Sequence, residues 1–340
     1  MTGDPDGLTY AAAGVDVAAG ERAVRLLAPL AAATHGPAVL GGVGGFAGLW
    51  AFDSERFRSP VLAASTDGVG TKLLVSQALD RHETVGIDLV AMVVDDLVVV
   101  GAEPLFLLDY LAVGRLVPER VAAIVGGIAA GCGIARCALL GGETAEHPDA
   151  MAEDAYDLSA TGVGVVEHDR LLGPERVRPG DVLVGLASSG LHANGFSLVR
   201  RALARAGIEY TATVEGLDAP LGDVLLTPTR IYAPDMLDLL AAGVPVHALC
   251  HVTGGGIPGN LPRAMPHGLV GRVDWTSWSR PAIFDVIQRA GGVPDAEMAR
   301  ATNLGVGMIA VAPAAAVGDV LDFLVGRGHT SWVLGEVQQA

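Results

Sequence analysis

Along the chain, short apolar runs closed by glycine alternate with longer apolar segments of helical spacing. Residues 20–34, GERAVRLLAPLAAAT, carry apolar side chains at helical intervals, broken only by Pro29, and predict a helix. A glycine-rich loop, GGVGGFAG at 41–48, follows. The run PVLAA predicts a buried strand that ends in STDGVGTK, residues 65–72. Next come a helix from about Gly86 to Val100, the apolar run PLFLLDYLAVG, and a helix over 118–135 with Pro118 at its start. Strands are expected at CALLGGE and at 157–167. The stretch EHDRLLGPERVRPGD, 167–181, is charged, turn-rich and largely without apolar period, and marks a boundary between domains at 1–170 and 171–340. A strand, DVLVGLASSG, opens the second half, where apolar runs and helices alternate again.

Composition narrows the partners. The 340 residues are half hydrophobic and only 5% aromatic, so two cores built from Ala, Val and Leu are expected. A net charge of −16 argues against nucleic acid, whose affinity rests on a basic footprint. The same charge repels any phosphorylated ligand, which therefore needs a local metal, a cation or a helix N-terminus. Cys132, Cys137 and Cys250 form no C-x-x-C pair and are expected as buried free thiols in a reducing compartment. No basic region followed by an apolar core opens the chain. The longest low-charge run, 121–135, is short of a membrane span. A soluble, cytoplasmic protein without membrane partners is expected.

Chemistry concentrates where apolar runs end. STDGVGTK brings Asp67, Gly68, Gly70, Thr71 and Lys72 together, the parts of a phosphate site in an order unlike G-x-x-x-x-G-K-[ST]. In GIDLVAMVVDDLVVVGAEP, Asp88 and Asp95 are nearly two helical turns apart on one face, about 10 Å along the axis. Either they mark a solvent stripe, or they are buried and need a cation or hydrogen-bond donors; the apolar flanks favour the second. Glu143 follows CALLGG at a strand end, where it is either a plain turn residue or an oxygen ligand. Asp67, Asp96 and Glu143 thus offer a divalent cation carboxylates from three elements. SSGLHANGFSLVRR and HVTGGGIPGN are small-residue loops of the kind that hold anions, though each also reads as an ordinary turn. Three further patterns are weak. Gly42-Val43-Gly44-Gly45-Phe46-Ala47 fits G-x-G-x-x-[GA] without a clear βαβ unit. His247 and His251 are spaced i,i+4 but lack the glutamate of H-E-x-x-H. Ser188 and Ser189 beside His192 do not form a G-x-S-x-G elbow.

Taken in order, YAAAGVDVAAG, GGVGGF, STDGVGTK, GIDLVAMVVDDLVVVGAEPLFLLDY, GGETAEHP, SSGLHANGFSLVR, LTPTRIY, HVTGGGIPGNLPR and NLGVGM resemble the phosphoribosylformylglycinamidine cyclo-ligase (AIR synthetase) family from about Tyr10 to the C-terminus. The resemblance implies a mixed α/β, PurM-like two-domain fold, with N-terminal strands pairing across a homodimer into a barrel. It implies ATP and magnesium, with potassium left open, and conversion of formylglycinamidine ribonucleotide to aminoimidazole ribonucleotide. By resemblance, Gly42, Gly44, Gly45, Asp67, Gly68, Gly70, Thr71, Lys72, Asp88 and Glu143 belong to the nucleotide, and Asp67, Asp96 and Glu143 to the metal. Ser189, Gly190, His192, Asn194, Gly195, His251, Thr253, Gly254 and Gly255 belong to the substrate ribonucleotide. Lys72, His192 and Asn194 are the catalytic candidates, with His192 either moving a proton or holding substrate. Three positions depart from the family pattern: Ala11 where lysine is common, Asp95 where asparagine is, and His147 where methionine is. Thiamine-monophosphate kinase and selenophosphate synthetase are the related alternatives, but SSGLHANGFSLVR and HVTGGG favour the cyclo-ligase, and no cysteine precedes Cys132.

Overall fold

The structure, a computed structural model, describes Tyr10 and residues 13–340, so Ala11 lies outside the described residues. The first half runs α1 (Val17–Ala32), β1 (Val39–Leu40), β2 (Leu49–Trp50), β3 (Pro60–Gly68), α2 (Leu73–Leu79), α3 (Glu83–Val98), β4 (Glu103–Val113), α4 (Pro118–Ala135), β5 (Ala138–Glu146) and β6 (Tyr156–Glu167). The second half continues with β7 (Val182–Ala187), α5 (Phe196–Ala206), α6 (Leu221–Leu226), α7 (Ala233–Ala241), β8 (Ala248–His251), α8 (Gly256–Asn260) and β9 (Leu269–Val273). It ends with α9 (Ala282–Gly291), α10 (Asp295–Ala301), β10 (Val306–Ala312), α11 (Val317–Gly326) and β11 (Ser331–Gln339). The charged stretch after Glu167 contains only two single 3-10 turns, His168–Arg170 and Pro174–Arg176.

Local chemistry sets the helix ends. Asp16 caps α1 by accepting from the Ala19 N–H at 3.0 Å. Pro118 opens α4, where its missing N–H is no loss, and Arg136 closes it in the left-handed region at φ 59°. The Cys137 N–H then returns to the Cys132 carbonyl at 3.0 Å. All three cysteines are buried and free. Among the described residues α4 is the one helix long and apolar enough to span a bilayer. Its Val121, Ile124, Val125 and Ile128 are instead packed in the protein core.

The first sheet has strand order β3-β6-β4-β5, with only the β4–β5 pair parallel. Helices α3 and α4 supply the core on one side, with α1 packed on α4. The opposite face is open: Leu62, Leu108 and Tyr110 are 64%, 40% and 41% exposed. The second sheet is antiparallel throughout, ordered β8-β10-β7-β11-β9, with β10 buried along its whole length. The two halves share one core, in which Tyr232, Ala233 and Met236 join Leu89, Val90 and Val93 of α3.

Candidate active site

Successive residues of β3 point to opposite faces of its sheet. Val61 and Ala63 pack toward Leu97 of α3, and Asp67, in phase with them, lies on the helix-covered side. Asp67 Oδ1 accepts from the Gly68 N–H at 2.7 Å. Burial raises its pKa, the Gly68 bond opposes this, and the negative charge of Asp96 adds to the rise. Asp96, on the last turn of α3, faces His251 at the end of β8, with Oδ1 2.9 Å from Nδ1. Burial disfavours the His251 cation, but the bond to Asp96 and the charges of Asp95, Asp96 and Asp67 outweigh it and raise the pKa. His251 Nε2 is buried without a protein partner. Asp96 and His251 line a cavity of about 460 Å³ between the two halves, together with Ser65, Glu175, Asn260 and Arg263.

Two second-half loops border this region. In the first, His192 takes the left-handed conformation at φ 62°. Its Nε2 accepts from the Ser189 N–H at 3.1 Å, which leaves the ring proton on Nδ1. Burial drives its pKa well below the ordinary value, so the imidazole is neutral. Nδ1 itself is buried without a partner. Asn194 reaches Met92 Sδ of α3 at 3.5 Å, and Ser189 Oγ donates to the Pro228 carbonyl at 2.7 Å. The Gly190 carbonyl accepts from Asn303 Nδ2 at 3.0 Å. Gly195 precedes α5 at φ 79°, where a Cβ would lie 2.5 Å from the Ala301 carbonyl. In the second loop, Asn260 Nδ2 lies within 3.3 Å of the carbonyls of Thr253, Gly254 and Gly256 and so closes the turn around Gly255.

Four expectations are corrected within the chain. Lys72 is wholly buried, and its ammonium donates to Asp88 Oδ1, the His192 carbonyl and the Thr227 carbonyl at 2.9, 3.0 and 2.8 Å. An ammonium has three donors, so none remains for a phosphate or for catalysis. Asp88 faces the same groups, its Oδ1 also accepting from Thr229 N and Oγ1 at 2.7 and 2.6 Å and its Oδ2 2.8 Å from the Lys72 ammonium, so these contacts tie it to the second half. Glu143 does not join Asp67 and Asp96. Asp67, Ala160, Asp109 and Gly142 form one row across the sheet, which puts β5 three strand spacings, roughly 14 Å, from β3. Glu143 is also paired with the exposed Tyr110, on the open face. The loop bearing Gly42, Gly44 and Gly45 shares this edge, since Gly48 packs against Leu140 of β5. Among the described residues no three His, Cys, Asp or Glu side chains converge on one metal position.

What remains fits a divalent cation in part. Asp67 and Asp96 each keep an oxygen without a protein partner among the described residues. Magnesium takes one or two carboxylates plus phosphate oxygens, so this pair suits it. Asp95 is not a ligand in this arrangement: buried on α3, it accepts from the Tyr232 and Ala233 N–H groups, both at 2.8 Å. His247 and His251 do not share a site either, because His247 pairs with Asp181. Sequence reasoning missed Asn260, Arg263, Thr229 and Asp109. The first two stand within HVTGGGIPGNLPR and Thr229 within LTPTRIY, but no local spacing singles them out.

The chain belongs to the AIR synthase related class. The model of its N-terminal domain matches residues 55–166, and that of its C-terminal domain residues 178–340. Within that class the chain belongs to the phosphoribosylformylglycinamidine cyclo-ligase family. It is 52% identical over 333 residues to the member from Anaeromyxobacter dehalogenans, covering 97% of this chain and 96% of that one. It is 51% identical to the Myxococcus xanthus member, covering 98% and 96%. The fold is also that of a thiamine-monophosphate kinase from Stenotrophomonas maltophilia, at TM-score 0.67 and 21% identity over 93% of this chain and 94% of that one. The hydrogenase maturation protein HypE of E. coli shares it at TM-score 0.65 and 18% identity, over 94% and 91%.

Proposed function

We propose that this chain converts formylglycinamidine ribonucleotide and ATP into 5-aminoimidazole ribonucleotide, ADP and phosphate, in purine biosynthesis in the cytoplasm. One observation carries the reading: a chain half identical to cyclo-ligases over 97% of its length sets Asp96 and His251 on a cavity between its halves, with Asp67 and His192 near enough to feel their charges. ATP phosphorylates the formyl oxygen, turning a poor leaving group into a good one. The amidine nitrogen then attacks that carbon, the ring closes and phosphate departs. Such a transfer demands positioning and charge neutralisation above all. Asp67 and Asp96 would hold magnesium, which when bound would supply the neutralisation that a chain of charge −16 otherwise lacks. Residues 1–170 serve the nucleotide and metal, and residues 171–340 the ribonucleotide. Neutral His192 orients the substrate by hydrogen bonding and does not act as a cation toward its phosphate.

Glu143 and the glycine loop enter through a homodimer. A second copy closing the open sheet face sets the β5 edge of one protomer beside the β3 edge of the other, so that each site draws on both chains. Mixing Asp67→Asn and Glu143→Gln proteins, each inactive alone, then restores up to half of wild-type activity in the mixed dimer. No recovery would place both residues in sites of a single chain.

The reading is tested by following ADP and aminoimidazole ribonucleotide together, with and without the ribonucleotide. Stoichiometric, substrate-dependent formation of both is expected, and Asp67→Asn lowers turnover by about 10²-fold or more. ATP binding without turnover of this substrate would move the chemistry to a sister activity.

A further inference from the structure

We infer that the buried Lys72–Asp88 pair is a positioning device, which sets the two substrate-side loops against the nucleotide-side domain without touching either substrate. The inference rests on the function proposed above. Lys72 enters from the end of STDGVGTK and Asp88 from α3, both in the first half, while every other partner of the pair lies in the second. Lys72 holds the carbonyl of His192, the residue in the left-handed conformation that L side chains rarely adopt. It also holds the Thr227 carbonyl, and Asp88 holds Thr229 through N–H and Oγ1. Ser189 joins the two loops through the Pro228 carbonyl, and Thr71 Oγ1 lies 3.0 Å from Ser197 Oγ at the start of α5. The Phe196 ring lies under the ammonium at 5.6 Å. The buried charge thus reads the placement of residues 189–197 and 227–229 at one point. Misplacing reacting groups by about 1 Å costs on the order of 10²-fold in rate.

The test compares wild type with Lys72→Met/Asp88→Asn, which removes the charges together and leaves an acceptor for Thr229, and with Thr229→Val, which keeps both charges. The expected result is a KM for the ribonucleotide raised at least tenfold in the double variant and less in Thr229→Val, with the dissociation constant of MgATP within twofold of wild type. Hydrogen exchange of amides 189–195 and 229–233 rises in the double variant, whereas that of β10, 306–312, does not. Weakened MgATP binding at unchanged ribonucleotide KM would overturn the inference and return Lys72 to the phosphate. Unchanged KM with unchanged exchange would also overturn it, leaving the pair as core filling. The exchange measurement needs no turnover, so failure of the functional reading is seen separately, in the wild type.

Discussion

Asp109 lies on β4 beneath the backbone of Gly142, where a Cβ would sit 2.0 Å from its Oδ1. Burial pushes its pKa up to about 7, against the opposing effect of its own backbone N–H. A carboxyl raised in the folded state favours folding below its unfolded value, near 3.9, and that contribution is lost as pH rises through 7. The gap corresponds to at most roughly 4 kcal/mol. Asp109→Asn is expected to narrow the difference in melting temperature between pH 5 and pH 8, chiefly by stabilising the protein at pH 8; thermal denaturation at both values checks it. Asp67 stands out in the sequence as an acid at the end of an apolar run, and Asp96 as an acid within an otherwise apolar helix. The commitment of Lys72 does not, since a lysine after glycines reads alike whether it meets phosphate or a buried aspartate sixteen residues on. Asp109 was hidden within PLFLLDYLAVG, where alternation alone does not show what covers one strand face.

At the scale of elements, α3 and α4 cross where glycines remove the side chains between them. A Cβ on Gly127 would lie 1.8 Å from the Glu83 carbonyl, and one on Gly86 2.4 Å from that of Ile124. Gly127→Ala should therefore destabilise the protein by about 1–3 kcal/mol through overpacking, despite the better helix propensity of alanine. Chemical denaturation would measure it, and a stabilised variant would show that the helices can move apart. The helix over 118–135 was readable to the residue because Pro118 fixes its start and its apolar spacing runs on to the turn at 136–137. The first helix begins at Val17, earlier than its apolar spacing suggests, because Asp16 caps it. Of the two short strands that bracket the glycine loop at 41–48, the sequence offers only the meagre run AVL before it, since two-residue strands have no period to read. Helix α3 was legible as buried all round, but the identity of the donors answering its acids lay 141 and 137 residues away, in Thr229 and Tyr232.

For the whole molecule, the face of the first sheet away from α3 leaves Leu62, Leu108 and Tyr110 exposed among the described residues. Leu62→Glu with Leu108→Glu is expected to convert the proposed dimer to monomer, seen by sedimentation, and to abolish turnover while each chain stays folded. Monomeric wild type would overturn the dimer. The alternating runs of the chain predict strands and helices in both halves, as the two larger sheets have them, whereas which edge faces which is a property of tertiary packing alone. The core that joins α3 to Tyr232, Ala233 and Met236 has a further consequence. Neither half can lose its packing without exposing the flank of α3 and stranding Asp88 and Asp95 without their donors. The two lobes are therefore one cooperative unit, and calorimetry should record a single heat-absorption peak, its van't Hoff and calorimetric enthalpies equal for each unfolding unit, where two separable lobes would give two.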